Sequence, residues 1–339
     1  MAFEPLMAGH SALVTGGGGF LGSAIIERLV ARGVRVRSLA RGDYPELRKR
    51  GVETIRGDLS VAAAVADAVR GVDVVFHVAA KAGVWGRYAE YYETNVSGTR
   101  AVLLACQAHS VRRLVYTSSP SVVFDGRNQA GVNESAPYSN HFLAAYPMTK
   151  AEAERIVLAA NGPELATVAL RPHLIWGPGD NHLVPRILAR GDSLRRIGGL
   201  NPLVDSVYID NAADAHLLAA DRLHIGSPIA GKAYFISNGE PRPVWDLINA
   251  ILAAGGKPPV TKSVPRWVAK SAAGWIEAWH RIRKRQDEPR LTRFVVSELC
   301  AAHWFDISAA RRDLGYSPTI SIDEGLRRLS QWLQSKEPQ

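Results

Sequence analysis

With 339 residues, 47% of them hydrophobic, the chain can bury the core of one large α/β domain with an appended part, or of two domains; no stretch reaches ~18 consecutive apolar residues, so no membrane-spanning helix is expected. Its two cysteines, Cys106 and Cys300, lack any pairing or metal-binding spacing, which argues against a disulfide framework and a thiolate metal site and for a reducing compartment. The net charge of +9 is concentrated late: nine Lys or Arg stand against three Asp or Glu between positions 262 and 293, with no nucleic-acid-binding motif beside them, so no nucleic-acid partner is expected.

Residues 1–10 include Glu4 and Pro5 and no long apolar run, unlike a signal peptide, and a cytoplasmic location is expected. The apolar stretch 11–14 reads as a buried strand. It runs into Thr15-Gly16-Gly17-Gly18-Gly19-Phe20-Leu21-Gly22, and 23–32 then carries Ala24, Ile25, Leu29 and Val30 on one helical face. The glycines therefore sit where a strand hands over to a helix. Unpaired N–H groups and the positive dipole end of such a helix suit a pyrophosphate. Gly16 permits the tight turn, Gly19 lets backbone approach the phosphates, and Gly22 lets helix pack on strand.

Further strands are predicted at 34–39, 52–59, 72–78, 113–117 and 165–170, and helices at 61–69, 91–108 and 145–159. This repeated βα pattern predicts an α/β fold, a Rossmann doubly wound parallel sheet. The rhythm breaks after 176–180, and 207–209 and 233–236 read as strands returning to the first domain. A dinucleotide-binding domain over 10–176, with strands returning at about 205–236, is thus expected. A smaller mixed part, 177–204 and 237–335, would cover the sheet's ligand edge and form the substrate site.

The second strand ends in Ala40 and Arg41, where an acid would grip a ribose 2′-OH. An arginine there can take a 2′-phosphate bidentately, which favours NADP(H); if Arg41 is only a solvated loop residue and another acid serves the ribose, NAD(H) is the alternative. Asp58 and Leu59 are placed to meet the adenine, although Asp58 could equally cap the following helix. Tyr146 and Lys150 form Y-x-x-x-K and share a helical face, so the lysine can lower the tyrosine pKa and hold the nicotinamide ribose. Ser118 and Ser119 end a strand on the ligand edge, where a hydroxyl can bond a substrate oxygen. Lys81, Arg87 and His173, on strand-end loops, are candidates for a substrate carboxylate; Lys81 could equally touch cofactor or solvent. His77, on an apolar strand, reads as a core histidine, and no metal is expected because the histidines lack a ligand pattern such as H-E-x-x-H.

Taken together, T-G-x-x-G-x-x-G at 15–22, Gly57-Asp58-Leu59, Asn95-Val96-Ser97-Gly98-Thr99, Thr117-Ser118-Ser119, Tyr146 with Lys150, Arg171-Pro172, Gly177-Pro178-Gly179-Asp180 and Tyr208-Ile209-Asp210-Asn211 resemble the extended short-chain dehydrogenase/reductases over nearly the whole chain. The resemblance implies Tyr146 as general acid in reduction, Lys150 as its helper, Ser119 as the hydroxyl orienting the carbonyl with Ser118 as the neighbouring alternative, and Asn95 as structural. It also implies cofactor contacts at Gly16, Gly19, Phe20, Leu21, Gly22, Ala79 and Pro172. Residues 118–126 and 306–316 are similar to the 3β-hydroxysteroid and sterol-carboxylate dehydrogenase branch. Residues 79–86 and 299–304 are similar to its bacterial members that reduce 2-alkyl-3-oxoalkanoates in long-chain olefin (β-lactone) biosynthesis. That likeness implies NADPH-dependent reduction of a lipid-like β-keto acid. The alternatives are NAD(P)-dependent oxidation of a 3β-hydroxysteroid or sterol, nucleotide-sugar epimerisation, against which Pro120 and Ser121 after Ser119 speak, and a non-catalytic NADP(H) sensor. A homodimer through the 91–108 and 145–159 helices is a family expectation.

Residues 265–282 predict a helix with Val268, Ala272, Trp275, Trp279 and Ile282 in one stripe and Arg266, Lys270, Arg281 and Lys284 mostly opposite. Peripheral association of 265–285 with a membrane surface, or with other enzymes of a lipid pathway, is one reading. A lipid channel roofed with the tryptophans inside is a second, and an ordinary helix packed on the core a third.

Overall fold

The computed structural model describes residues 5–285 and 287–336; residues 1–4, over which part of the leader reading falls, lie outside them. Seven parallel strands form the main sheet, in the spatial order Lys232–Ile236, Ala166–Pro172, Arg113–Thr117, Val74–His77, Ser11–Thr15, Arg35–Ala40, Glu53–Arg56. The order reverses between Ser11–Thr15 and Val74–His77, and this switch point opens the crevice in which such sheets bind ligands. Strand alternation divides the core into two layers. Ala12, Val14, Phe76 and Val115 face the helices Phe20–Ala31 and Ile209–Arg222, while Leu13, Val75 and Leu114 face Ala62–Val69, Gly98–Ala108 and Ala145–Ala159.

The doubly wound sheet expected from the βα rhythm is therefore present, and strand 233–236 does return as its edge. The stretch 207–209 does not: Val207–Tyr208 pairs only with Ile175–Trp176, outside the main sheet, and Ile209 opens the helix Ile209–Arg222. The apolar triplet was read as a strand, but Ala212, Ala213, Ala215, Leu217, Ala219 and Ala220 beyond it are buried on the sheet, and Arg28 clamps the helix by bonding Asp210 (2.9 Å) and Asp214. Along 91–108 the helix starts at Tyr88 and contains a wide π turn, Glu93–Ser97, before Gly98–Ala108. That turn carries Asn95.

A smaller mixed sheet is built from Arg242–Pro243, Leu203–Val204, His303–Phe305 and Gln129–Val132. One of its strands, Gln129–Val132, comes from within the first 176 residues, and one apolar core runs continuously from Val14 to Leu329, so the two parts share their interior.

The late helix, Arg266–Ile282, is also present, and of the orientations left open by sequence its stripe members Trp275, Trp279 and Ile282 take the outward one. Ala269, Ala273, Glu277 and His280 form its inner side, and Trp267, Trp275, Trp279 and Ile282 face solvent. Small residues and a specific anchor decide this: Glu277 accepts from the backbone N–H of Arg293 at 2.7 Å and from its guanidinium at 2.9 Å. A channel roofed with tryptophans inside is thereby excluded.

Candidate active site

The glycine turn works by exclusion of side chains. Gly16 has φ +71°, and a Cβ there would lie 2.9 Å from the Ala79 Cα; a Cβ on Gly22 would lie 2.3 Å from the Gly16 carbonyl oxygen. Only glycine lets the loop, the helix start and the neighbouring strand end come this close. The resulting cleft, about 400 Å³, is lined by Gly16, Gly19, Phe20, Leu21, Gly22, Arg41, Asp58, Leu59, Ala79 and Lys150. Pro172 instead lines the adjoining cavity. Tyr44, which the sequence reading overlooked, also lines the cleft and lies so close over Gly18 that a Cβ there would overlap its ring. A glycine cradle at a helix N-terminus beside a slot for a base and two sugars fits a dinucleotide.

Hydrogen bonds fix the cleft's wall, and their directions can be deduced. The Thr15 hydroxyl oxygen accepts from the N–H groups of Val78 and Ala79, both at 3.1 Å, so its own hydrogen goes to His77 Nδ1 at 2.8 Å. His77 Nε2 then donates to Thr99 (2.9 Å), which donates to the Asn95 carbonyl (2.6 Å). The Asn95 side chain clamps both main-chain groups of Lys81, at 2.7 and 3.1 Å, and donates to Thr149 at 3.1 Å. His77 is thus the core histidine expected, and burial, helped by Lys150, pushes its pKa down to about 3. Asn95 is structural.

Arg41 reaches into solvent at the nucleotide end, 4.0 Å from Asp58. Asp58 accepts from the Ser60 N–H at 2.9 Å and from its hydroxyl at 3.0 Å, so it serves its own turn while lining the cleft. The Ser60 backbone bond leads in holding its pKa low, with Arg41 assisting.

Tyr146, Lys150 and Glu154 follow at successive turns of Ala145–Ala159. Glu154 and Arg171 form a buried, forked pair, with contacts of 2.6 to 3.2 Å, which Tyr138 joins at 2.7 Å. Burial works against the Glu154 carboxylate, but Arg171 outweighs it and holds the pKa below the usual value. Lys150 donates to the Thr117 carbonyl at 2.5 Å and sits 4.2 Å from the Tyr116 ring centre. Burial pushes its pKa down to about 7, opposed by Glu154. Burial also raises Tyr146, which a hydrogen bond with Ser119 partly offsets and the neighbouring Glu298 carboxyl reinforces. Ser119 accepts from Ser121 twice, from the N–H at 3.2 Å and the hydroxyl at 2.9 Å, so its own hydrogen is the one that goes to Tyr146.

Ser119 and Tyr146 also line a second cavity of about 400 Å³, walled by Phe124, Phe294, Phe305 and Leu183. Tyr146, with Thr117 and Ser118, is common to both hollows. Of the three residues considered for a carboxylate, only His173 lies here. Lys81 is paired with Glu90 at 2.5 Å, and it and Arg87 line a third cavity of about 890 Å³. His173 is already engaged: Nδ1 lies 2.6 Å from Asp205 and Nε2 3.1 Å from His303 Nδ1, while His303 Nε2 lies 3.0 Å from the Glu298 carbonyl. The two rings thus form one buried relay between Asp205 and the Glu298 carbonyl, in which burial, with His173 assisting, pushes the His303 pKa down to about 3. Arg186, His182, Glu298 and His303 were not assigned roles from sequence; they come from beyond 180, Arg186 and Glu298 on the short helices Leu183–Arg190 and Arg293–Cys300 and His303 on the strand His303–Phe305. Glu298 is the notable one, since burial raises its pKa to about 8 against the pull of Arg186.

A dinucleotide-shaped cleft that holds a buried lysine and meets an apolar cavity at a tyrosine and a serine-ended strand is the arrangement of an oxidoreductase. The chain belongs to the 3-beta hydroxysteroid dehydrogenase/isomerase family, whose profile matches residues 13–265. It is similar to the 2-alkyl-3-oxoalkanoate reductase of Shewanella oneidensis, 51% identical over 328 residues covering 94% of this chain and 85% of the relative. It is also similar to the 2-alkyl-3-oxoalkanoate reductase of Stenotrophomonas maltophilia, 52% identical over 322 residues covering 94% and 97%. Among solved structures, gox2253 superposes with a TM-score of 0.78 at 27% identity, covering 96% of this chain and 98% of that one.

The buried histidines predict a pH profile. His77 and His216, the latter lowered by burial to about 4, stay neutral when folded, whereas an unfolded chain protonates them near 6.5. Unfolded chains therefore bind more protons between these values, and the stability is fully present above pH 6.5 and lost as pH falls towards 4. The urea midpoint should drop steadily over that window; a flat profile would contradict the assignment.

Proposed function

We propose that the protein reduces the ketone of a long-chain 2-alkyl-3-oxoalkanoate to the 2-alkyl-3-hydroxyalkanoate, with NADPH as the reductant. The observation that carries this reading is that Tyr146 lines both the dinucleotide cleft and an apolar cavity that Ser119 also lines. Relatives above 50% identity over most of the chain bear the name of that reaction. When bound, the reduced nicotinamide supplies the hydride.

The chain's own residues do the rest. Ser119, held by Ser121, turns its hydrogen from Tyr146 to the ketone oxygen and fixes the carbonyl. Tyr146 gives its phenolic proton to the same oxygen as negative charge develops there. Lys150 stabilises the tyrosinate left behind, and Glu154 and Arg171 hold the lysine's surroundings in register. Arg186 supplies positive potential for the substrate carboxylate in the cavity that His173 and His303 also line. Arg41, with no acid at position 40, is assigned the 2′-phosphate of NADP(H).

Turnover of a 2-alkyl-3-oxo acid in Tyr146→Phe should fall on the order of 10²–10⁴-fold, while NADPH binding, followed by fluorescence, is retained. Loss of NADPH binding together with turnover would remove the tyrosine from the chemistry. NAD-dependent oxidation of a 3β-hydroxysteroid, with no reduction of the keto acid, would move the protein to the steroid reaction. Arg41→Ala should lower kcat/KM for NADPH on the order of 10–100-fold and leave that for NADH nearly unchanged. Equal losses with both would show that Arg41 does not read the phosphate.

A further inference from the structure

The outward face of the helix Arg266–Ile282 is unusual for a surface that meets only water. Trp275 is 79% exposed, Ile282 78%, Trp267 72% and Trp279 46%. At 100° per residue these four side chains fall within one third of the helix circumference. Bases flank them on both sides, Arg266 and Lys270 along one edge and Arg283 along the other, with Lys284 just beyond the helix end. Arg266, Lys270, Arg283 and Lys284 form no ion pair among the described residues. Ala269, Ala273, Glu277 and His280 hold the helix to the protein, and of the outer groups Trp279 also meets His280 edge-on and Arg283 lies over the Trp279 ring.

We propose that this face docks the protein onto an anionic lipid surface. Tryptophan combines an apolar body with an N–H donor and so favours the boundary between acyl chains and headgroups, while the flanking bases meet lipid phosphates. Charge argues against a second copy of the chain as the occupant. A two-fold interface through this face would set Arg266, Lys270 and Arg283 of each copy against bases of the other. The inner side of the same helix lines the cavity of about 890 Å³ through Glu277 and His280, and that cavity shares Val84 and Phe294 with the one holding Tyr146. Docking therefore sets one wall of the route to the active site against the bilayer. The inference stands on the helix alone and not on the identity of the substrate.

Sedimentation of the full chain with vesicles tests it. Vesicles of phosphatidylglycerol and phosphatidylcholine in equal parts should bind the protein at low salt, at least about 10-fold more tightly than phosphatidylcholine alone, with binding weakened by added salt. Trp275→Ala with Trp279→Ala should weaken binding about 10-fold or more, and Lys270→Glu with Arg283→Glu should do the same without touching an apolar side chain. Thermal unfolding checks that each variant is folded, and the charge variant decides if the tryptophan variant is not. No binding to the mixed vesicles, or binding unchanged in the folded variants, would overturn the proposal. So would a tryptophan variant that fails to bind only because a dimer of the parent chain has come apart on a sizing column.

Discussion

The structure depends on one line of hydrogen bonds that crosses its sheet edge, from Thr15 through His77, Thr99 and Asn95 to Thr149. It begins at the residue before the glycine turn and ends three residues after Tyr146. Each group donates one way and accepts the other, so none is left unpaired in an interior where an orphan would cost about 1–3 kcal/mol. Because the line passes by Ala79 and Lys81, it sets the spacing between the nucleotide cleft and the helix that carries Tyr146. A neutral histidine is the only side chain on it that both accepts and donates through a rigid ring, and burial keeps it neutral.

A second constraint acts further along the same helix. Glu154 and Arg171 are charges with almost no access to water, and breaking such a pair from one side costs about 3–5 kcal/mol. What the pair does for the site is electrostatic and positional. Its carboxylate supports the Lys150 ammonium against desolvation, one turn away, and its forked geometry joins the catalytic helix to the strand that ends at Pro172. The site is thus built on rigid elements, while the cavity for substrate is finished by less regular chain from beyond residue 180.

That division decides what could be read from sequence. The glycine run, Y-x-x-x-K and the serine-ended strand are local patterns, and each lies where its spacing implied. His77 was legible as a core residue because it interrupts an otherwise apolar strand. The helix at 209–222 was not, since its first three residues look like the tail of a strand and only tertiary packing on Phe20–Ala31 decides between the two. Arg186 and Glu298 escaped because they lie on the short helices Leu183–Arg190 and Arg293–Cys300, and His303, which meets the candidate His173, because it opens a three-residue strand of the small sheet; only tertiary packing brings them together. The late helix was legible as an amphipathic element, with its stripe left open between a surface, a lipid channel and the core; the Glu277–Arg293 contact that turns Trp275, Trp279 and Ile282 outwards lies between segments that sequence spacing does not connect.

The central claim is that Tyr146 and Ser119 place a ketone carbon over a dinucleotide cleft. Isotope transfer tests this directly. With NADPH carrying deuterium at the transferable position of its nicotinamide and a long-chain 2-alkyl-3-oxo acid as substrate, the account predicts one deuterium on the new carbinol carbon and a proton from solvent on its oxygen. Deuterium retained in the cofactor while the substrate is unchanged or only exchanges at its α-carbon would contradict it.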